Sequence, residues 1–245
     1  IDPDFVTNVQ PGDIIIAVDG EDTEGWSVID AVNRIRGKGG TPVDLTIQRL
    51  GELDPIVVTI VRGTIPTASV FRRDLHDGDD NPADPPYSVI RITQFTERTP
   101  EELRDVIEDV KEAGSEGIIL DVRSNPGGLL DSTVDVAAEF LSGGLVTYEI
   151  NGRGVRRDWP AHTKGTALDI PLVVLVDQFS ASGSEVLAAA LQDRGRAAII
   201  GEQTFGKGSV NILRELREDE GGIYLTIGRW YTPNGGLIGG DGVIP

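Results

Sequence analysis

The chain has no cysteine, no methionine and only two histidines, His76 and His162, among 245 residues. Without cysteine there is no disulfide framework, no thiol nucleophile and no thiolate metal site. Neither histidine lies near an obvious acid–serine constellation, so a serine hydrolase built on this sequence needs another group to take the serine proton. Positive charge is scarce too: 22 Lys and Arg stand against 40 Asp and Glu, a formal net charge of −18 that repels nucleic acid and anionic membrane surfaces. No apolar run approaches the roughly 18 residues of a membrane span, and no charged-then-apolar leader opens the chain. The missing initiator Met points to a processed or trimmed chain, from which targeting segments are expected to have been lost. What is present, 39% of it hydrophobic, suffices for the core of one or two domains.

Residues 1–63 read as a small unit. GDIIIAVDG (Gly12–Gly20) is a short apolar strand between turn residues, and SVIDAVNRIRGKGG (Ser27–Gly40) sets Val28, Ile29, Val32 and Ile35 near helical spacing, with glycine at the exit. VDLTIQRLG (Val43–Gly51) alternates apolar and polar side chains, and IVVTIVRG (Ile56–Gly63) is largely β-branched, which predicts two more strands. Residues 64–86 form a connecting segment. Its polar part, RRDLHDGDDNPADPP (Arg72–Pro86), has the composition of a solvated loop and lacks the spacing of a calcium loop.

From Tyr87 to residue 245 the pattern is α/β. YSVIRITQF is a strand, and TPEELRDVIEDVKEAG is a helix with a predicted capping box from Thr99 to Glu102, Pro100 at its first position and a core stripe of Leu103, Val106, Ile107 and Val110. Strands GIILDV, PLVVLVD and AAIIG follow, separated by helices over about 129–141 and in SEVLAAALQD, an alternation that predicts a largely parallel sheet. Sites in such sheets gather at the carboxyl ends of strands. Three glycine-rich turns stand there: RSNPGG, FSASGS and EQTFGKG.

GEQTFGKG nearly matches a phosphate-binding loop, but Gly208 replaces the Ser or Thr that holds magnesium, and Ser209–Leu216 alternates like a strand where that loop needs a helix. Acyl transfer accounts for more. Ser182 sits where a strand hands over to a helix, and the Gly183 amide lies at that helix N-terminus, where a developing oxyanion is favoured. NPGG offers Gly127 or Gly128 as a second amide donor, since glycine permits close approach of a substrate carbonyl. Lys207, between two glycines, can serve as general base if burial keeps its amine neutral. Taken singly, each of these is an ordinary cap or turn. Their placement at neighbouring strand ends points to chemistry.

The segments GIILDVRSNPGGLLDSTVDVAAEFL, VLVDQFSASGSEVLAAALQDRGRAAIIGEQTFGKGSV and IYLTIGRWYTPNGG resemble the carboxyl-terminal processing peptidases, a PDZ-containing Ser/Lys protease family of the S41 type. QPGDIIIAVDGEDTEGWSVIDAVNRIRGKGGTPVDLTIQRLGE resembles the latter part of a bacterial PDZ domain, with only about ten residues before Pro11, so the strand and carboxylate-binding loop that come earlier are expected to be missing. The resemblance implies a ClpP/crotonase-like parallel-sheet protease core (87–245) preceded by a partial PDZ-like β-rich domain. It implies Ser182 as nucleophile, Lys207 as base, and oxyanion amides from Gly183, where the family ordinarily has Ala, and from Gly127 or Gly128. Glu185, Asp193 and Thr204 match family positions that support the site. Asn211 stands where the family ordinarily has Gln to orient the lysine, and is one methylene shorter. The implied activity is a serine endopeptidase acting near protein C-termini through an acyl-enzyme, with no metal, nucleotide or other cofactor. The implied partners are apolar or unfolded protein tails, the implied place of work is outside the cytoplasm, and assembly would use helices beyond these 245 residues. A non-catalytic peptide-binding or scaffold relative is the alternative, motivated by Asn211 and the partial PDZ region.

Overall fold

In the computed structural model, residues 9–63, 67–75, 86–162, 165–216 and 221–245 are described, and the chain divides between Thr67 and Ala68 into two compact units. In the first, β1 (Ile14–Val18), β2 (Glu21–Asp22), β3 (Pro42–Gln48) and β4 (Ile56–Val61) form an antiparallel sheet of order β2-β1-β3-β4, beside helix α1 (Val28–Ile35). Alternation in β3 buries Val43, Leu45 and Ile47, which join Val18 and Val58 in a small core. Ser27 caps α1 reciprocally: its Oγ accepts from Asp30 N at 3.2 Å and its own N donates to Asp30 at 3.0 Å. Arg62 closes the other end, donating to the carbonyls of Ile35 (2.7 Å) and Arg34 (3.1 Å). Of the expected apolar stripe, Val28 and Ile29 are exposed and only Val32 and Ile35 are half-buried.

The second unit holds two sheets. β5 (Val70–Asp74), β6 (Tyr87–Ile92), β7 (Gly117–Asp121), β10 (Leu172–Val176) and β11 (Ala198–Gly201) are ordered β11-β10-β7-β6-β5, all parallel except β5. The expected parallel sheet is thus present. β8 (Gly144–Asn151), β9 (Arg156–Ala161), β12 (Ser209–Glu215) and β13 (Gly222–Tyr231) form an antiparallel sheet of order β12-β13-β8-β9. Helices α2 (Thr99–Glu112), α3 (Leu130–Ala138) and α4 (Gly183–Asp193) complete the unit. Every residue of α4 from Gly183 to Leu191 is buried, which its run of small and apolar side chains permits on all faces. Among the described residues no helix is long and apolar enough to cross a membrane.

Three expectations need correction. Residues 70–74, assigned to the connecting segment, are the edge strand β5: Val70 is buried in the core, Arg72 pairs with Asp74 further along the strand, and Phe71 and Arg73 are exposed, a composition an edge tolerates. Most of the acidic loop reading falls on residues 76–85, outside those described. The capping box of α2 does not form. Thr99 is already helical, and Glu102 accepts from Ser69 N and Oγ, both at 2.7 Å, because a tertiary partner displaces the local one. The β8–β9 hairpin, absent from the α/β reading, carries Pro160 on an edge strand, where a missing N–H costs no ladder bond.

Arg196 fastens the loop before β10. Its guanidinium donates to the carbonyls of Phe140 (3.0 Å), Ala167 (2.7 Å) and Ile170 (2.6 Å), and burial pushes its pKa below the usual arginine value. Arg196→Ala strands these acceptors and is expected to cost about 2–4 kcal/mol, lowering Tm by roughly 5–12 °C. A thermal midpoint within about 2 °C of the parent would show that the three bonds stabilise nothing.

Candidate active site

The carboxyl ends of β7, β10 and β11 bring together the three glycine-rich turns. Ser182 leads into α4 with φ 54° and ψ −112°, a conformation L-residues rarely adopt and one that costs on the order of 1–3 kcal/mol. Surrounding contacts hold it there. Ser182 and Lys207, both half-buried, line one cavity of about 510 Å³ together with Gly128, Gly183, Ser209 and Asn211. Trp159 and Trp230, packed edge to face with centroids 5.2 Å apart, form an apolar part of its wall, and Asp131, Glu149 and Arg157 add charge.

Glu185 joins the nucleophile turn to the lysine turn. Fully buried, its carboxylate accepts four hydrogen bonds: Oε2 from Ser182 N (2.8 Å) and Lys207 N (2.9 Å), Oε1 from Gly206 N (2.6 Å) and Thr204 Oγ1 (2.7 Å). Thr204 Oγ1 in turn accepts from Val243 N at 2.7 Å. Glu185 thus binds the backbone that carries Ser182 and Lys207, and Thr204 binds Glu185.

Between the two NPGG amides the hydrogen bonds discriminate. Gly127 N donates to Asn125 Oδ1 at 2.8 Å and is occupied. Gly128 N and Gly183 N have no protein partner among the described residues, and both glycines line the cavity. Gly128 is bridged to Phe95, with Phe95 N donating to Gly127 O (3.0 Å) and Leu129 N to Phe95 O (2.8 Å), so its own N–H faces away from that bridge. Its φ is 153°, and a Cβ there would lie 2.1 Å from the Phe95 carbonyl oxygen. Gly128→Ala must therefore push the turn out of place, and a fall in turnover of about 100-fold or more is expected, the scale of losing one oxyanion donor. Turnover within about threefold of the parent would remove Gly128 from that role.

Asn125, wholly buried, was not singled out in the sequence, although its place before Pro-Gly-Gly was a signal. Its Nδ2 donates to Ile92 O (2.9 Å), and its carbonyl accepts from Ala181 N (3.0 Å) and Ser184 Oγ (2.9 Å), tying the NPGG turn to β6 and to the nucleophile turn. Asp177 does the same on the outer side. Burial alone would raise its carboxyl, but bonds from the Ser124 and Phe179 amides and the Ser124 and Ser180 hydroxyls outweigh that and hold it below the usual carboxylate range.

Two expected site residues find their hydrogen-bond partners elsewhere. Asp193 lies at the far end of α4, about 16 Å along the axis from Ser182, where its carboxylate accepts from Asn234 N at 2.8 Å and fixes the 232–236 turn. Asn211 lines the cavity, but its amide is engaged elsewhere: Nδ2 donates to Ser209 Oγ (3.0 Å) and Oδ1 accepts from Thr226 Oγ1 (2.7 Å). A bulge between Val210 and Asn211 sets Asn211 directly opposite Thr226. The shorter amide is thus held by its own sheet.

The family model for peptidase family S41 matches residues 87–245, and that for the PDZ domain matches residues 3–48. The carboxyl-terminal-processing protease of Synechocystis sp. is 38% identical over 237 residues, covering 97% of this chain and 54% of that protein. The carboxy-terminal-processing protease of Bartonella bacilliformis is 38% identical over 251 residues, 99% of this chain and 55% of that protein. Among solved structures, a photosystem II D1 C-terminal processing protease aligns with a TM-score of 0.65 at 29% identity over 98% of this chain and 63% of its own. A Bacteroides fragilis protein described as a putative S41 protease aligns with a TM-score of 0.61 at 16% identity over 98% and 66%, a likeness of fold alone. The chain spans about half the length of the curated relatives it matches.

Proposed function

The chain belongs to peptidase family S41, and on that premise we propose that it is a serine endopeptidase cutting proteins near their C-terminus, with Ser182 as nucleophile and Lys207 as general base. One observation carries the reading: a single buried carboxylate, Glu185, holds the backbone of both residues beside a cavity that also receives the unpartnered Gly128 and Gly183 amides. Ser182 Oγ attacks the scissile carbonyl as its proton passes to the Lys207 amine. The carbonyl electron pair moves onto oxygen, which the two amides stabilise. Collapse expels the amine, Lys207 returns the proton to it, and water later hydrolyses the Ser182 ester.

Trp159, Val186, Ile227 and Trp230 on the cavity wall support apolar or unfolded tails as substrates. Delivery of those tails by the PDZ-like unit, work outside the cytoplasm and assembly through parts of the protein beyond this chain belong to the same proposal. The test is hydrolysis of an unfolded protein by the parent chain beside Ser182→Ala and Lys207→Ala. Cleavage by the parent alone supports the dyad, equal cleavage by all three removes it, and none by the parent favours the scaffold alternative.

A further inference from the structure

Polar groups of β12 and β13 form a hydrogen-bonded chain that ends at Ser209, which lines the same cavity as Lys207. Thr226 Oγ1 donates to Asn211 Oδ1 (2.7 Å), and Asn211 Nδ2 donates to Ser209 Oγ (3.0 Å). Lys207, Ser209 and Asn211 all line the cavity that holds Ser182, whereas Gly208 between the first two packs against Ile238, whose carbonyl would lie 1.3 Å from an added Cβ. A serine hydroxyl has two acceptor sites and one hydrogen. The Asn211 amide fills one acceptor site, which leaves the other for a second donor. The amide holds Ser209 with one N–H and Thr226 with one lone pair.

We propose that Ser209 is the positioning residue for the base: its Oγ accepts an N–H of the Lys207 amine and so turns the amine lone pair toward Ser182 Oγ, with Asn211 and Thr226 acting only through Ser209. The inference rests on the Ser182/Lys207 reading above. In that reading an amine on four rotatable bonds must be held in one orientation before proton transfer, and one hydrogen bond to the Ser209 hydroxyl supplies this. The chain thus reaches the lysine through a residue two positions away rather than through the amide four positions away.

Steady-state kinetics on a peptide spanning a bond that the parent cuts in an unfolded protein test this, with each variant's fold checked by circular dichroism. Ser209→Ala is expected to lower kcat about 10–100-fold with KM within about twofold, and Ser209→Thr, which keeps the hydroxyl, to recover kcat to within about threefold of the parent. Asn211→Ala is expected to lower kcat less, by about 3–10-fold, and to add nothing on top of Ser209→Ala, because both act along one chain. Thr226→Val breaks the far link outside the cavity and is expected to fall between the parent and Asn211→Ala. If Ser209→Ala keeps kcat within about twofold while Lys207→Ala is inactive, the inference is wrong and the dyad stands. If Asn211→Ala costs more than Ser209→Ala and the two multiply, Asn211 acts on the lysine directly and the inference is again wrong. Activity retained in Lys207→Ala overturns the dyad and the inference together.

Discussion

Ser182→Ala and Lys207→Ala are each expected to lower hydrolysis of an unfolded protein by about 1,000-fold or more, to a rate sustained only by binding and the oxyanion amides. Removing the nucleophile leaves no acyl-enzyme route. Removing the base leaves a hydroxyl that must lose its proton to water inside a partly dry cavity. On the proposed mechanism the two residues carry out one proton-coupled step, so the double variant should be no slower than either single one. Lys207→Arg is the sharper control. A guanidinium keeps the charge and much of the length but does not give up its proton near neutral pH, so it should be as inactive as alanine. A Lys207→Arg enzyme working at a tenth of the parent rate would show that position 207 supplies charge rather than proton transfer.

Glu185→Ala is the second large effect, and it strikes stability and activity together. Four donors, three of them backbone amides, lose their acceptor inside the protein, at a cost of about 3–5 kcal/mol and a drop in Tm on the order of 10 °C. Ser182, already at φ 54°, loses the hydrogen bond its N–H donates to Glu185, and the Lys207 turn loses its tether. Turnover should fall at least about 100-fold in the molecules that remain folded. Glu185→Gln offers one acceptor oxygen and places an NH₂ group against two donors, so it should recover less than half of the lost stability. Unchanged melting and turnover in Glu185→Gln would show that Ser182 and Lys207 are held by other contacts.

Much of this site was legible because its parts are local. The strands GIILDV, PLVVLVD and AAIIG announce themselves by composition, and the glycine-rich turns after them mark the ends where a parallel sheet places chemistry. What escaped was set by distant partners. β5 is polar because it is an edge, which a reading by hydrophobicity takes for a linker. Glu102 has the right offset for a capping box and instead binds Ser69, 33 residues earlier. The β8–β9 hairpin interrupts the helix–strand alternation and finds its place only once β13 pairs beside it. Asn211 sits at the expected distance from Lys207 along the chain, yet its amide is claimed by Thr226 across the ladder, a partner that only the bulged register supplies. The choice between Gly127 and Gly128 needed the Asn125 side chain, which no spacing rule assigns to one of them.

Gly183 has a neighbour that limits which side chains position 183 can carry. A Cβ at 183 would lie 2.5 Å from Thr133 Oγ1, and that hydroxyl is anchored on the Leu129 carbonyl at 3.0 Å. Alanine at 183 and threonine at 133 are therefore mutually exclusive without a shift of one of them. A methyl at 183 is accommodated only where the Thr133 side chain turns off the Leu129 carbonyl or residue 133 is shortened, so residue 133 sets what a side chain at 183 costs.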